Sequence, residues 1–275
     1  MTEYGPMVLL SPDRRFPEPE LTASGHSAAR GTGEGPVLLR EFRDIFPYLK
    51  ASPNTRGPVW IDPVLFMTGN ADISLLEGPD LSRAGIRVLD FFGTSGSLRI
   101  LRNAWSKEAL SRKGVLRVTI RAASRGEFDI RKADLIYFLC RNLGEVKRIR
   151  CRRISEAGGA SEEMQDLAVL RMAAGCLVHI DCSSLPRHAG AESWEYAARG
   201  ILYACDEKKD SELRVELRTP DKQPLEIASL SEIPEISALF SGPQAGDNEI
   251  ADLKRAGSAW QGLEKSVKDG DAVWL

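Results

Sequence analysis

The chain has 275 residues, 43% of them hydrophobic and 28% charged, the balance of a globular protein large enough for one big domain or two small ones. Its 37 basic and 39 acidic side chains leave a net charge of −2, which argues against a nucleic-acid or membrane-surface role built on long-range attraction. No apolar run reaches bilayer length, and the start, MTEYGPMVLL, lacks the basic and apolar segments of a secretory signal.

Five cysteines, Cys140, Cys151, Cys176, Cys182 and Cys205, are an odd number with no CxxC spacing. They read as reduced thiols of a cytoplasmic protein, with neither a disulfide scaffold nor a zinc site. In chain order, MVLL (7–10) is a short apolar run stopped by Ser11-Pro12-Asp13, a strand followed by a turn. Residues 12–36 are rich in Pro, Gly, Ser and Ala. PVLLR (36–40) suggests a second strand, FRDIFPYL (42–49) a helix disturbed by Pro47, and GPVWIDP (57–63) a buried strand. A helical ADISLLEG and a strand-like GIRVLDFFG (85–93) follow. Strands alternating with helices imply a parallel sheet with crossovers.

From Ser97 the texture changes. SLRILRNAWSKEAL has helical spacing, VLRVTIRAA (115–123) alternates as a half-exposed strand does, and KADLIYFLCRNLG (132–144) predicts a helix closed by Gly144. VKRIRCRRI (146–154), DLAVLRM (166–172), CLVHIDCSSL (176–185), SWEYAAR (193–199), GILYACD (200–206) and ELRVELRT (212–219) read as successive strands of a mostly antiparallel sheet. A last helix, 251–270, leads into AVWL. The fold class is α/β plus α+β: an incomplete Rossmann-like part at 1–96, then at 97–275 an open, mostly antiparallel sheet packed on helices.

Four strings in this second part carry a resemblance: DLIYFLCRNLGEV (134–146), DLAVLRMAAGCLVHIDCSS (166–184), ESWEYAARGILYACD (192–206) and AWQGLEKSVKDGDAVWL (259–275). In that order they resemble the Gfo/Idh/MocA (glucose–fructose oxidoreductase/inositol dehydrogenase) family. The resemblance covers residues 97–275 and implies a nicotinamide-dependent oxidoreductase fold. The departures point elsewhere. No GxGxxG occurs in the first hundred residues, GTGEG (31–35) being nearest, so the amide cradle for a pyrophosphate is missing. The chain reads as truncated, beginning near the family's second strand, with Ser11 where a ribose-binding carboxylate would stand. The family's Glu-Lys-Pro tripeptide has its counterpart in Ile61-Asp62-Pro63 or Asp90-Phe91-Phe92, neither with a lysine. Asp134 stands at the position of the catalytic histidine, and Tyr137 at that of an acidic residue one turn later.

The resemblance places the helix start against the family's substrate cleft, which makes Asp129, Arg131 and Lys132 candidate ligand-binding residues. Asp134 and Tyr137, at i and i+3 and so on one face, are candidate acid–base groups. His188, in the loop LPRHAG, is a third catalytic candidate, with Arg187 beside it as a ligand-binding one. The competing reading is that Asp129 caps the helix and its neighbours form a solvated first turn. His179 reads as a strand residue facing solvent or a packing partner. No nucleophile triad or metal-ligand spacing stands out, and no cofactor is expected.

In the strand 176–185, Leu177, His179 and Asp181 oppose Val178, Ile180 and Cys182, so one sheet face is covered and the other open. By the resemblance that open face pairs with another subunit, a second copy or a complete relative. Three functions fit. The first is a non-oxidoreductase, pseudoenzyme-like protein that binds a small molecule or assists a partner. The second is a cofactor-independent lyase, cyclase or isomerase using the old cleft. The third is an NAD(P)-dependent oxidoreductase.

Overall fold

The computed structural model describes residues 7–9, 37–39, 59–68, 73–77, 86–94, 98–106, 110–155, 163–184, 192–198, 201–207, 213–219, 222–230 and 249–275. For 7–9, 37–39, 201–207, 213–219 and 222–230 only the backbone is described. The helix expected at 42–49, the GTGEG run, Ser11, Arg187 and His188 lie outside these residues.

Four short strands, β1 (Met7–Leu9), β2 (Val37–Leu39), β3 (Val59–Ile61) and β4 (Ile86–Val88), form a wholly parallel sheet in the order β2-β1-β3-β4. The expectation that the chain opens on the family's second strand is corrected by this order. β1 is flanked on both sides, pairing with β2 through Met7↔Val37 and with β3 through Met7↔Val59. The strand order reverses there, and in open α/β sheets such a reversal marks the ligand crevice, at the carboxyl ends of the strands.

Two short helices lie after these strand ends: α1 (Val64–Met67) after β3 and α2 (Phe91–Thr94) after β4. The segment expected as helix near Asp72 forms a 3-10 turn over Ile73–Glu77. Next, α3 (Arg99–Ser106) leads to the large sheet, onto which Trp105 is pinned by an edge-on contact with Tyr196, ring centroids 5.5 Å apart.

The large sheet has nine strands: β5 (Val115–Ala122), β6 (Val146–Ser155), β7 (Met164–Met172), β8 (Leu177–Ser184), β9 (Glu192–Ala198), β10 (Ile201–Glu207), β11 (Leu213–Thr219), β12 (Lys222–Leu230) and β13 (Val273–Trp274). Their order is β12-β11-β10-β9-β5-β8-β7-β6-β13, antiparallel except where β5 lies parallel to β8. Alternation decides the faces. Val118, Ile120, Leu170, Val178, Ile180 and Trp194 point into the core, while Leu167, Val169 and Leu177 stay on the open face.

Two long helices, α4 (Arg125–Leu143) and α5 (Glu249–Asp269), cover the inner face. The structure starts α4 seven residues before the stretch 132–144 that periodicity predicts. The cause is a capping box: Ser124 Oγ accepts from the Glu127 amide (3.2 Å), and Glu127 Oε2 accepts from the Ala123 amide (2.7 Å). Ser124, not Asp129, is therefore the N-cap. Gly144 closes the helix at φ 79°, in the left-handed region, with its amide on the Cys140 carbonyl (3.1 Å). No helix among the described residues is long and apolar enough to cross a membrane.

Candidate functional site

Helix α4 is the middle of the molecule, and its polar residues fall on three sides. Towards α5 and the sheet, Lys132 is 2% exposed, with Nζ 2.9 Å from Asp166 Oδ2, 3.2 Å from Glu264 Oε1 and 4.0 Å from Asp129 Oδ1. The same ammonium stands over the rings of Phe128 (4.9 Å) and Trp260 (4.3 Å). Arg153 closes the network, its Nε and Nη2 on the two oxygens of Asp166 at 2.7 and 2.8 Å and its Nη2 on Glu264 at 2.9 Å. Burial opposes ionisation of Asp166 and Glu264, but hydrogen bonds from Arg153 and Lys132 outweigh it and hold both carboxyls below their usual range. Burial raises Asp129 instead, against the opposing charge of Lys132.

On a second side, Arg131 forms an ion pair through Nε with Glu127 Oε1 (3.0 Å), while its Nη1 is buried with no hydrogen-bond partner. The third side meets the parallel sheet. Tyr137 is fully buried; its Oη accepts from Arg141 Nη1 (3.4 Å), and burial pushes its hydroxyl well above the usual phenol range. Arg141 bridges two carboxylates from distant segments, with Nη1 3.8 Å from Asp90 Oδ2 and Nη2 3.4 Å from Glu249 Oε1. Glu249 also takes the Val88 amide on Oε2 (2.5 Å) and lies 3.9 Å from Arg87. Burial raises the Asp90, Glu249 and Asp252 carboxyls, with Arg141 opposing the shift at each.

The structure thus separates residues that adjoin in sequence. Lys132 and Asp134, two apart, cannot share a helix face. Lys132 belongs to a buried ion network, Arg131 and Glu127 to the first turns, and Tyr137 and Arg141 to the crevice side. Asp134 is 5% exposed and engaged by a neighbour. Asp90, Arg141 and Glu249 were missed from sequence because the pairs that unite them, Arg141–Glu249 and Val88–Glu249, span 108 and 161 residues.

Burial pushes Cys140 and Cys151 up to about 12 and Cys176 up to about 11, so these thiols are inert packing groups at neutral pH. Among the described residues no trio of His, Cys, Asp or Glu could hold a metal ion.

No family model and no curated protein matches the chain in sequence. Solved structures do match. An oxidoreductase from Agrobacterium radiobacter, in complex with NAD+, L-tartaric acid and magnesium, superposes with a TM-score of 0.64 at 10% identity, covering 100% of this chain and 98% of that one. GenD2 from gentamicin A biosynthesis, in complex with NAD, gives 0.63 at 13%, over 100% and 97%. A myo-inositol dehydrogenase from Corynebacterium glutamicum gives 0.59 at 10%, over 100% and 99%. The fold is that of the Gfo/Idh/MocA-type oxidoreductases, as the sequence resemblance implied.

Proposed function

We propose that this chain is a small-molecule-binding protein on an oxidoreductase fold that works without a nicotinamide dinucleotide. One observation carries the reading. β1 is the strand at which the sheet order reverses, and the residues after it, LSPDRRFPEPELTAS (10–24), contain no glycine. A pyrophosphate held there needs backbone amides that approach closely, which side chains prevent. The strand order also favours Asp90-Phe91-Phe92, after the outer strand β4, as the counterpart of Glu-Lys-Pro, and Phe91 then stands at the lysine. The residues present do not fit the dinucleotide. What the crevice side of α4 offers is polar recognition at Tyr137 and Arg141, with Asp134 one turn before Tyr137 and with Arg187 and His188 as loop candidates. Mass spectrometry of small molecules released from the protein purified from its own cells tests this. A non-nucleotide compound is expected, depleted in Tyr137→Phe; a protein that carries nothing in either form counts against the reading.

A second reading is favoured by a specific observation. The correction of the strand order makes Val37–Leu39 the strand beside β1, and Glu41 follows it by two residues, where a ribose-binding carboxylate belongs. Together with the NAD-bound neighbours, that supports an NAD(P)-dependent oxidoreductase. For redox-neutral chemistry, the buried hydroxyl of Tyr137 stays protonated and would serve as a donor, not a base.

We also propose that the open sheet face is an interface between copies. The large apolar side chains left exposed among the described residues, Ile154, Leu167, Val169, Leu177, Trp274 and Leu275, lie on or beside it. Arg148, Arg150, Arg152 and Arg171 line the β6–β7 flank, while on the β8–β9 flank Asp181 and Glu195 are paired with Arg121 and Arg117 of β5. A two-fold axis through the face would lay the apolar side chains of one copy on those of the other. Light scattering is expected to give twice the 30.3 kDa chain mass, and Leu167→Glu with Val169→Glu to halve it. A wild-type monomer at high micromolar concentration contradicts the interface, unless a different subunit is recovered from cells as its partner.

A further inference from the structure

The carboxyl edge of the parallel sheet repeats one construction. Asp62 directly follows β3, and Asp90 follows β4 by two residues; the Leu89 amide on the Ile61 carbonyl (2.9 Å) continues the pairing past both strands. Each aspartate accepts on Oδ1 from a backbone amide of the next short helix, Asp62 from Val64 (3.1 Å) and Asp90 from Gly93 (2.8 Å). Both are buried, at 0% and 5% exposure.

The second oxygen of Asp90 is buried and has no hydrogen-bond partner. Its nearest cation, Arg141 Nη1 at 3.8 Å, is too far to hydrogen-bond, and that guanidinium already serves Tyr137 and Glu249. Charge is therefore offset at Asp90 Oδ2 while a donor is lacking. Nor can α2 supply cover, since a Cβ at position 93 would overlap the carboxylate. Tyr137 Oη stands against the same Arg141 nitrogen and, among the described residues, has no acceptor for its proton. Buried polar atoms in folded proteins are paired, and an exception in a crevice marks where something binds.

We infer that Asp90 is a ligand-contacting residue of this cleft, its Oδ2 accepting a hydrogen bond from an uncharged O–H or N–H group of the bound molecule. This rests on the reading that the crevice holds a small molecule other than a dinucleotide. Asp90 is then a specificity residue, because Oδ2 rejects a phosphate or carboxylate that would face it acceptor to acceptor.

The probe is myo-inositol, which is uncharged and presents hydroxyl donors in every direction; inorganic phosphate is the control. Calorimetric titration of the full-length protein is expected to detect myo-inositol but not phosphate, and Asp90→Asn to weaken myo-inositol at least ten-fold while admitting the phosphate that the carboxylate repels. Asparagine keeps an acceptor for the Gly93 amide but turns Oδ2 into a donor. A crystal of the wild-type protein with myo-inositol avoids any folding defect of the variant. A hydroxyl within about 3 Å of Oδ2 supports the assignment, and a water there overturns it. So does wild-type protein blind to myo-inositol, or Asp90→Asn binding it equally well. Tight NAD(P) binding instead defeats the underlying reading of the cleft, so the two failures are distinguishable.

Discussion

Asp166→Asn is expected to destabilise the protein by about 3 kcal/mol, whereas Lys132→Met, which breaks the same ion pair from the other side, costs about 1 kcal/mol or less. The asymmetry follows from what each change leaves behind. Without the Asp166 charge, the buried Lys132 ammonium keeps only the 39%-exposed Glu264 and the more distant Asp129, and Arg153 loses its two-pronged acceptor. Without Lys132, Asp166 still holds Arg153 through both oxygens, and methionine fills the gap between Phe128 and Trp260. Urea unfolding of both variants measures the difference. Equal costs would show that the network acts as one charge-balanced block, not as a carboxylate hub.

The same hub fixes a pH dependence. The folded-state values of Asp166 and Glu264 are depressed, so their stabilisation is present above the usual carboxylate range and lost as pH falls through the folded values. The gap between wild type and Asp166→Asn is therefore expected to narrow in acid. Asp90 and Glu249 are raised and act with the opposite sign: they favour the fold below their unfolded values, and that contribution fades as pH rises through the folded ones.

Glu249→Ala is expected to cost about 2–3 kcal/mol, with Glu249→Gln below about 1 kcal/mol. β4 is the outer strand of the parallel sheet, and the Val88 amide on its free edge is satisfied by the Glu249 carboxylate instead of another strand. Alanine leaves that buried amide unpaired and removes a partner from both Arg87 and Arg141. Glutamine keeps an acceptor for Val88 and resembles the protonated acid that burial favours. If alanine and glutamine prove equally costly, the ion pairs and not the edge amide carry the interaction.

The fold was legible wherever one face of an element is buried. The alternation of 176–185 located β8 and sorted its two faces, because Val178 and Cys182 are fully covered while Leu177 keeps 37% of its surface. β12 (KQPLEIASL) lacks that alternation and carries Pro224, which suits its place at the sheet edge but hides it in sequence. The start of α4 was hidden because its first turns are polar and held by Ser124 and Glu127. Strand order was hidden too: MVLL reads the same at the edge or the centre of a sheet. That is why β1 was misplaced and why Glu41 was overlooked. Of the candidate site, sequence located helix α4 but not how its polar residues divide among three sides. Lys132 finds its partners in Asp166 and Glu264, and Arg141 in Asp90 and Glu249, all from segments that only folding brings near.

The central claim is that the crevice at β1 does not take a nicotinamide dinucleotide. Titration calorimetry of the purified protein with NAD+, NADH, NADP+ and NADPH tests it most directly. The account expects no association tighter than millimolar for any of the four. A micromolar constant for one of them would contradict it and make the chain an oxidoreductase that holds pyrophosphate without a glycine turn.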